Sequence, residues 1–366
     1  MYLQKLSILN FKNYSEAEFS FSQHVNCFVG NNGVGKTNLL DAIHYLSFCK
    51  SFLNPIDNQN ILHDAPFFLI QGTYNLNDEQ EEIYCGLKRN QKKQFKRNKK
   101  EYGRLADHIG LLPLVMISPA DSELIIGGSE SRRKFVDSII AQYDREYLDN
   151  LINYNKVLSQ RNALLKKFAQ SNSFDGDSLE IWDVQMIDYG KKIHSVRKKF
   201  IREFIPAFQE YYETISGAKE KVGLNYESHL NEKDYKKVLN EALNKDKIMQ
   251  YSTVGIHKDD LDFLIDDYSI KKVGSQGQQK SFLMALKLAQ FNFIKKIKQI
   301  TPIISLDDIY DKLDEVRMKQ LITLINNNNF GQIFITDTHE DRIKKLFKNS
   351  DIDFKQFKIK EVAAVN

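Results

Sequence analysis

The sequence predicts an α/β fold in which a phosphate-binding unit, drawn from both ends of the chain, carries an antiparallel β layer and an inserted, mainly helical domain. Three features lead to it. Gly30-Asn31-Asn32-Gly33-Val34-Gly35-Lys36-Thr37 matches G-x-x-x-x-G-K-[ST], the pattern of a phosphate loop. An apolar segment ending in Asp307 and Asp308 follows 270 residues after Thr37. Between them lie long stretches whose apolar residues recur at three- and four-residue steps, the period of a helix.

The phosphate loop has the flanks that its mechanics require. Val25 to Val29 reads as a short buried strand, and Leu39, Ile43 and Leu46 stand at helical spacing after it. In a strand, glycine turn and helix, backbone N–H groups and the positive helix end surround an anion. Lys36 then reaches the terminal phosphates, and the Thr37 hydroxyl ligates Mg²⁺ beside Asn38. The alternative is a chance match in a glycine turn, which both flanks oppose.

At 366 residues the chain suits two domains, which the motif order makes interleaved. Apolar residues make up 42% and charged residues 27%, and no run of about 18 apolar residues is present to span a bilayer. Met1-Tyr2-Leu3-Gln4-Lys5-Leu6 lacks a basic region followed by an apolar one, so a cytoplasmic protein without a membrane partner is expected. Cys27, Cys49 and Cys85 form no C-x-x-C pair, which argues against structural zinc and a disulfide framework. A net charge of +4 does not by itself imply nucleic acid. Between Lys88 and Lys100, however, eight of thirteen residues are basic and none is acidic. A solvated hairpin is the plain reading of such a run.

Taken in order, Leu3 to Ser22 reads as two strands around Asn10 to Tyr14. Phe67 to Tyr74, Glu82 to Leu87 and Gln94 to Asn98 alternate like strands, with turn signals at Asn75 to Asp78 and at Asn98. Together they predict the antiparallel layer. Pro113 to Pro119 is a buried strand ended by proline, after which helical signals take over. From Ser131 to Phe168 one stripe, including Tyr147, Leu151, Tyr154, Leu158 and Leu165, is interrupted only by Arg161. A polar loop at Ser171 to Asp177 leads to a second helix from Leu179 to about Tyr212, so an antiparallel helical hairpin is expected. Val222 to Glu227 reads as a strand, with another helix before Asp259. The expected division is 1–117 and 255–366 for the phosphate-binding lobe and 118–254 for the insertion.

The last third returns to phosphate chemistry. Ser275-Gln276-Gly277-Gln278-Gln279-Lys280 opens a helix with Phe282, Leu286, Ala289, Phe293 and Ile297 on one face, and such a polar turn can hold a phosphate. Pro302 to Asp308 is a buried strand ending in two carboxylates. Asp307 suits Mg²⁺ and Asp308 suits an attacking water; the plain alternative is a helix cap. Asp311-Lys312-Leu313-Asp314 follows. Gly331 to Thr336 reads as a core strand with Asp337-Thr338-His339 at its C-terminal end, where ligands of open α/β sheets gather.

This order of parts resembles the ABC-type ATPases, including the SMC group. Within that group the motifs are similar to those of the RecF family. They are Phe11-Lys12-Asn13-Tyr14, Gly33 through Ile43, Ser118 to Asp121 continuing into Gly127 through Asp137, Tyr154 to Lys166, Trp182-Asp183 and Gly255 to Asp260. Lysine stands at Lys12 and Lys258 where that family has arginine, which keeps the charge and loses the planar fork.

The resemblance implies an ABC-type P-loop ATPase head using ATP and Mg²⁺. Lys12 and Asn13 join the nucleotide contacts, Ser118 or Asp121 senses the γ-phosphate, and His339 or Thr338 acts as the switch residue. It also implies that Ser275, Gln276, Gly277 and Gln278 close on ATP bound by a second copy, making an ATP-dependent homodimer. The implied role is in recombinational repair: binding single-stranded and duplex DNA, preferentially at gaps, helping RecR and RecO load RecA, with slow hydrolysis. Lys92, Lys93, Lys96, Arg97, Lys99 and Lys100, with Lys191, Lys192, Arg197, Lys198 and Lys199, would then contact DNA phosphates without reading bases. A transporter-associated ATPase and a non-hydrolysing DNA scaffold are the rival readings.

Overall fold

The computed structural model describes residues 1–217, 220–308, 317–318, 320, 323, 330–347 and 354–360. The chain opens with β1 (Tyr2–Phe11), β2 (Tyr14–Ser20), β3 (Val25–Val29) and α1 (Lys36–Phe48), then β4 (Phe67–Leu76), β5 (Glu79–Lys88), β6 (Gln94–Arg97), β7 (Lys100–Glu101) and β8 (Leu114–Ile117). Helices α2 (Glu123–Ile126), α3 (Ser129–Ile140), α4 (Arg145–Ser171) and α5 (Gly176–Ser216) follow, then β9 (Val222–Glu227), α6 (Tyr235–Met249), β10 (Asp260–Ile265), β11 (Tyr268–Ser269) and α7 (Ile270–Val273). It closes with α8 (Gln276–Lys298), β12 (Ile303–Leu306), β13 (Ile333–Asp337), α9 (Glu340–Phe347) and β14 (Phe354–Lys358).

Two compact units result, one of Met1–Asp121, Thr214–Gly217 and Lys280–Asn366, the other of Ser122–Glu213 and Ala218–Gln279. The first boundary falls close to the expected 117/118. The second falls at Gln279/Lys280 instead of 254/255, because β10 pairs with β9 and β11 and so belongs to the insertion. Residues 255–279 are thereby corrected from the phosphate-binding lobe to the inserted unit.

The first unit holds two sheets. Strands β14-β3-β13-β12-β8 form a parallel sheet. Its strands β3, β8, β12 and β13 are buried along their whole length, the mark of a parallel sheet covered on both faces. Because the strands run the same way, Gly30, Ser118, Asp307, Thr338 and Ile359 all emerge at one edge, where such sheets bind ligands. Strands β2-β1-β4-β5-β6-β7 form the expected antiparallel layer. Leu39, Ala42, Ile43 and Leu46 of α1 share one core with Leu6 and Ile8 of β1, Ile70 of β4 and Phe28 and Phe334 of the parallel sheet. The basic run becomes the β6–β7 hairpin, whose Asn98-Lys99 turn has positive φ at both residues, as a tight hairpin requires.

In the second unit, Arg161 of α4 meets Asp183 of α5 and Tyr147 meets Arg197, so the two helices run antiparallel as expected. The single helix expected from Ser131 to Phe168 is two, because Asp144 leaves helical geometry to cap α4, accepting the Tyr147 N–H at 2.8 Å. The sheet β11-β10-β9 contains two strands the sequence reading missed. Leu261, Phe263 and Ile265 do alternate, and Asp266-Asp267 turns with positive φ, but the segment is short. Among the described residues no helix is long and apolar enough to cross a membrane.

Arg161, the interruption of the α4 stripe, is fully buried. Its Nε donates to Asp183 Oδ1 at 2.5 Å, and its Nη1 donates to Asp246 Oδ2 at 2.6 Å and Ser252 Oγ at 2.8 Å. Removing one member of such a pair strands the other charge. Arg161→Met is therefore expected to cost about 3–5 kcal/mol in urea denaturation, and a loss under about 1 kcal/mol would contradict this role.

Candidate nucleotide site

The glycine loop is shaped by its neighbours. Gly33 and Gly35 take φ of +83° and +107°, a region open to glycine, and Gly35 caps α1. A Cβ on Gly35 would lie 2.5 Å from Asn13 Nδ2, and one on Gly30 would lie 2.3 Å from the Ile359 carbonyl oxygen. Asn13 donates from Nδ2 to the Val34 carbonyl at 3.0 Å and accepts from Asn38 Nδ2 at 2.8 Å. The Tyr14 hydroxyl donates to the Gly35 carbonyl at 3.1 Å. Thus the β1–β2 turn braces the loop from one side and the end of β14 from the other. Asn31, Asn32 and Gly33 stay exposed at its tip, while Val34 is buried. Lys36 Nζ donates to the Gly30 and Asn31 carbonyls, each at 2.9 Å, and so lies under the loop it serves.

Asp307 joins the loop despite the 270-residue separation. Its Oδ1 accepts the Thr37 hydroxyl at 3.0 Å and the Thr336 hydroxyl at 2.7 Å. The Asp308 N–H donates to Thr336 Oγ1 at 2.9 Å. Asp307 is 4% exposed. Burial raises its carboxyl above the ordinary range and Asp308 adds to this, while the Thr336 and Thr37 hydroxyls and Lys36 pull it down. The Thr37 hydroxyl and the Asp307 carboxylate are hard oxygen donors side by side, a pair that fits Mg²⁺. A cleft of about 450 Å³, lined by Gly30, Asn31, Val34, Thr338, Glu340 and Lys358, opens beside the loop.

Other expected contacts have different surroundings. Lys12 Nζ pairs with the buried Asp41 Oδ2 at 2.5 Å, where Ser51 Oγ and the Phe52 N–H also donate to Asp41. Its charge thus ties the β1–β2 turn to α1. Asp121 Oδ1 pairs with Lys287 at 2.7 Å and Oδ2 accepts the Ser118 N–H at 2.7 Å, which commits this carboxylate to the end of β8. Ser118 Oγ is buried with no hydrogen-bond partner among the described residues. His339 is exposed, and its N–H donates to Asp337 Oδ1 at 2.6 Å. In the second unit, the Ser275 N–H donates to Gln278 Oε1 at 2.8 Å and the Gln278 N–H donates to Ser275 Oγ at 3.2 Å. This reciprocal capping box fixes the start of α8, with Gln276 exposed and Gly277 half-buried. Asp311 to Asp314 lie outside the described residues.

The basic run divides. Lys92, Lys99 and Lys100 are exposed, and Lys96 is half-buried with Nζ 5.3 Å from the Tyr84 ring. Lys93 is turned inward onto Asp57 at 2.8 Å and the Tyr45 hydroxyl at 3.0 Å. Arg97 forks onto the buried Glu81 at 2.5 and 2.8 Å. In the second unit Lys191 pairs with Asp234 and Lys192 with Asp188, and buried Arg197 joins Asp137 to Asp259, while Lys198 and Lys199 are exposed. Lys93 and Arg197 are corrected from surface cations to structural ones, for each is desolvated against a carboxylate. Thr336 escaped the sequence reading; its one signal is a hydroxyl residue closing the apolar strand Ile333-Phe334-Ile335.

The family model described as RecF/RecN/SMC N terminal domain matches residues 2–361. The DNA replication and repair protein RecF of Phocaeicola vulgatus is 54% identical over 363 residues, covering 99% of this chain and 97% of that protein. Among solved structures, the recombination mediator protein RecF-ATPrS in the RecFOR pathway is 30% identical with a TM-score of 0.87, covering 98% of this chain and 96% of that one. The corresponding RecF-ATP structure is 29% identical with a TM-score of 0.87, covering 97% and 95%. The expected ABC-type head is the fold observed.

The loop's geometry has a direct consequence. Gly35→Ala must accept both a left-handed backbone and the contact with Asn13, so a thermal or chemical denaturation loss of about 1–3 kcal/mol is expected. Asn13→Gly in the same chain should recover part of it, and a Gly35→Ala variant as stable as the parent would contradict the packing described.

Proposed function

The chain belongs to the RecF family within the RecF/RecN/SMC group, and from that premise we propose that it is an ATP-dependent DNA clamp of recombinational repair. The observation that carries the proposal is the union of the phosphate loop with Asp307 through the Thr37 hydroxyl. Residues so far apart in sequence are held within one hydrogen bond at the ligand-binding edge of a parallel sheet, beside an intact Lys36. That convergence favours a working nucleotide site over a scaffold with a dead one, and Asp308 beside it favours hydrolysis over binding alone.

In this reading the phosphates of ATP enter the loop and meet its N–H groups and the positive end of α1. Lys36 exchanges the Gly30 and Asn31 carbonyls for phosphate oxygens. Thr37 and Asp307 would hold Mg²⁺, which would supply charge neutralisation on the transferred phosphoryl group. Asp308 orients the attacking water and takes its proton. His339, or Thr338 beside it, senses the γ-phosphate from the end of β13. The capping turn at Ser275 to Gln278 of a second copy closes over the same phosphate, so that ATP holds a dimer together. Slow hydrolysis then sets how long the dimer lasts.

DNA retention follows from the exposed and half-buried cations. Lys92, Lys96, Lys99 and Lys100 on the β5–β7 edge, with Lys198 and Lys199 of α5, can neutralise phosphates without reading bases. The preferred substrate is gapped duplex DNA, with single strands also bound. RecR and RecO are the partners, and RecA loading in the cytoplasm is the outcome.

Replacing Lys92, Lys96, Lys99 and Lys100 together by glutamate tests this reading. ATP affinity should stay within about 2-fold while DNA affinity falls and its log–log salt slope shrinks by up to about 3.6, since each of the four lost phosphate contacts removes about 0.9. Lys36→Ala serves as the complement, losing ATP binding in a fluorescent nucleotide titration. An unchanged salt slope removes the hairpin from the interface, and undiminished nucleotide binding by Lys36→Ala removes the site.

A further inference from the structure

Thr336 is the next-to-last residue of β13, a strand whose register places Ile335 beside Leu306 of β12. The next residues, Thr336 and Asp307, are both buried. An amide N–H can only donate, so the bond from Asp308 uses a lone pair of the Thr336 hydroxyl. The hydroxyl proton is then directed to Asp307 Oδ1. Thr37 donates to the same oxygen, so neither hydroxyl uses Oδ2. The side chain thus bonds two consecutive carboxylate residues in opposite senses, one through its side chain and the other through its backbone.

Asp308 adopts φ of +45°, the left-handed region that a residue with a Cβ enters at some cost. The Thr336 bond fixes the orientation of the 307–308 peptide plane, from which the Asp308 Cα and side chain depart. A buried hydroxyl costs free energy unless it is paired, and valine would fill the same space in an apolar strand. Shape alone therefore gives no reason for threonine at this position.

We propose that Thr336 is a positioning residue for both carboxylates of the hydrolytic site, fixing the Asp307 side chain and the Asp308 backbone through one hydroxyl. The proposal rests on the ATPase reading above. Thr336 is fully buried and, among the described residues, its hydroxyl bonds only to these two carboxylate residues, so it acts through Asp307, which aids metal-dependent binding, and through Asp308, which acts in hydrolysis. Losing its hydroxyl should separate those steps from nucleotide capture, which belongs to the phosphate loop.

The test compares Thr336→Val and Thr336→Ser with the parent in the full-length protein. ATP affinity is titrated in excess EDTA and in Mg²⁺, and single-turnover hydrolysis is timed. For Thr336→Val, hydrolysis is expected to slow about 10- to 100-fold, the scale of a misplaced reacting group. Its affinity in EDTA should stay within about 2-fold of the parent, while the gain in affinity conferred by Mg²⁺ shrinks. Thr336→Ser should restore both, and Thr336→Ala should reproduce the valine pattern if valine crowds the strand. The proposal is overturned if Thr336→Val keeps the parent's rate and Mg²⁺ gain, if affinity falls equally with and without Mg²⁺, or if serine is as impaired as valine. A parent that binds ATP while the variants show no split rejects this proposal alone. A parent that binds no ATP rejects the ATPase reading and this proposal with it.

Discussion

Asp307 Oδ1 accepts two hydroxyl hydrogen bonds, one from Thr37 at the head of α1 and one from Thr336 near the end of β13. The sheet order makes this convergence necessary. β13 lies between β3, which leads into the phosphate loop, and β12, which leads into the carboxylates. With neighbouring strands about 4.8 Å apart, β3 and β12 stand roughly 10 Å from each other, so the loop must reach across the end of β13 to meet Asp307. A buried carboxylate without partners would be costly, and the two hydroxyls with nearby Lys36 offset that cost. The same oxygen therefore supports the local fold and sets the distance at which an Mg²⁺–phosphate group could be held.

The loop that reaches across is itself held by distant segments. Asn13 and Tyr14 bond its carbonyls from the β1–β2 turn, and the Ile359 N–H donates to Val29 while its carbonyl presses on Gly30. Lys12 fastens the same turn to α1 through Asp41. Residues near both ends of the chain thus set the geometry of one glycine loop. The familiar loop motif specifies the residues that line the cradle, whereas its shape depends on Asn13 and Ile359, which the motif does not mention.

Legibility in the sequence followed the range of the interaction. The strand, glycine turn and helix around Gly30 to Thr37 are local, and β3, α1 and the apolar strands β8, β12 and β13 were readable to within a few residues. Short alternating segments such as β10 and β14 were not, because six or five residues with modest contrast resemble loops. Charge was visible but its partner was not. Lys93 and Arg197 look like any surface cation until Asp57 and Asp137, 36 and 60 residues away, are brought against them. Arg161 was the favourable case, since it broke an otherwise apolar stripe. Thr336 broke no pattern, because threonine is at home in strands.

In the clamp proposed for this RecF-family chain, these contacts would serve a nucleotide site in one copy, closed by the capping turn of another, with the exposed lysines of the basic hairpin turned to DNA. Sedimentation velocity of the full chain with gapped duplex DNA, in the presence and absence of ATP, tests that purpose most directly. A dimer-sized protein complex retained on DNA only when ATP is present is expected. A monomer that binds the DNA equally well under both conditions would contradict it.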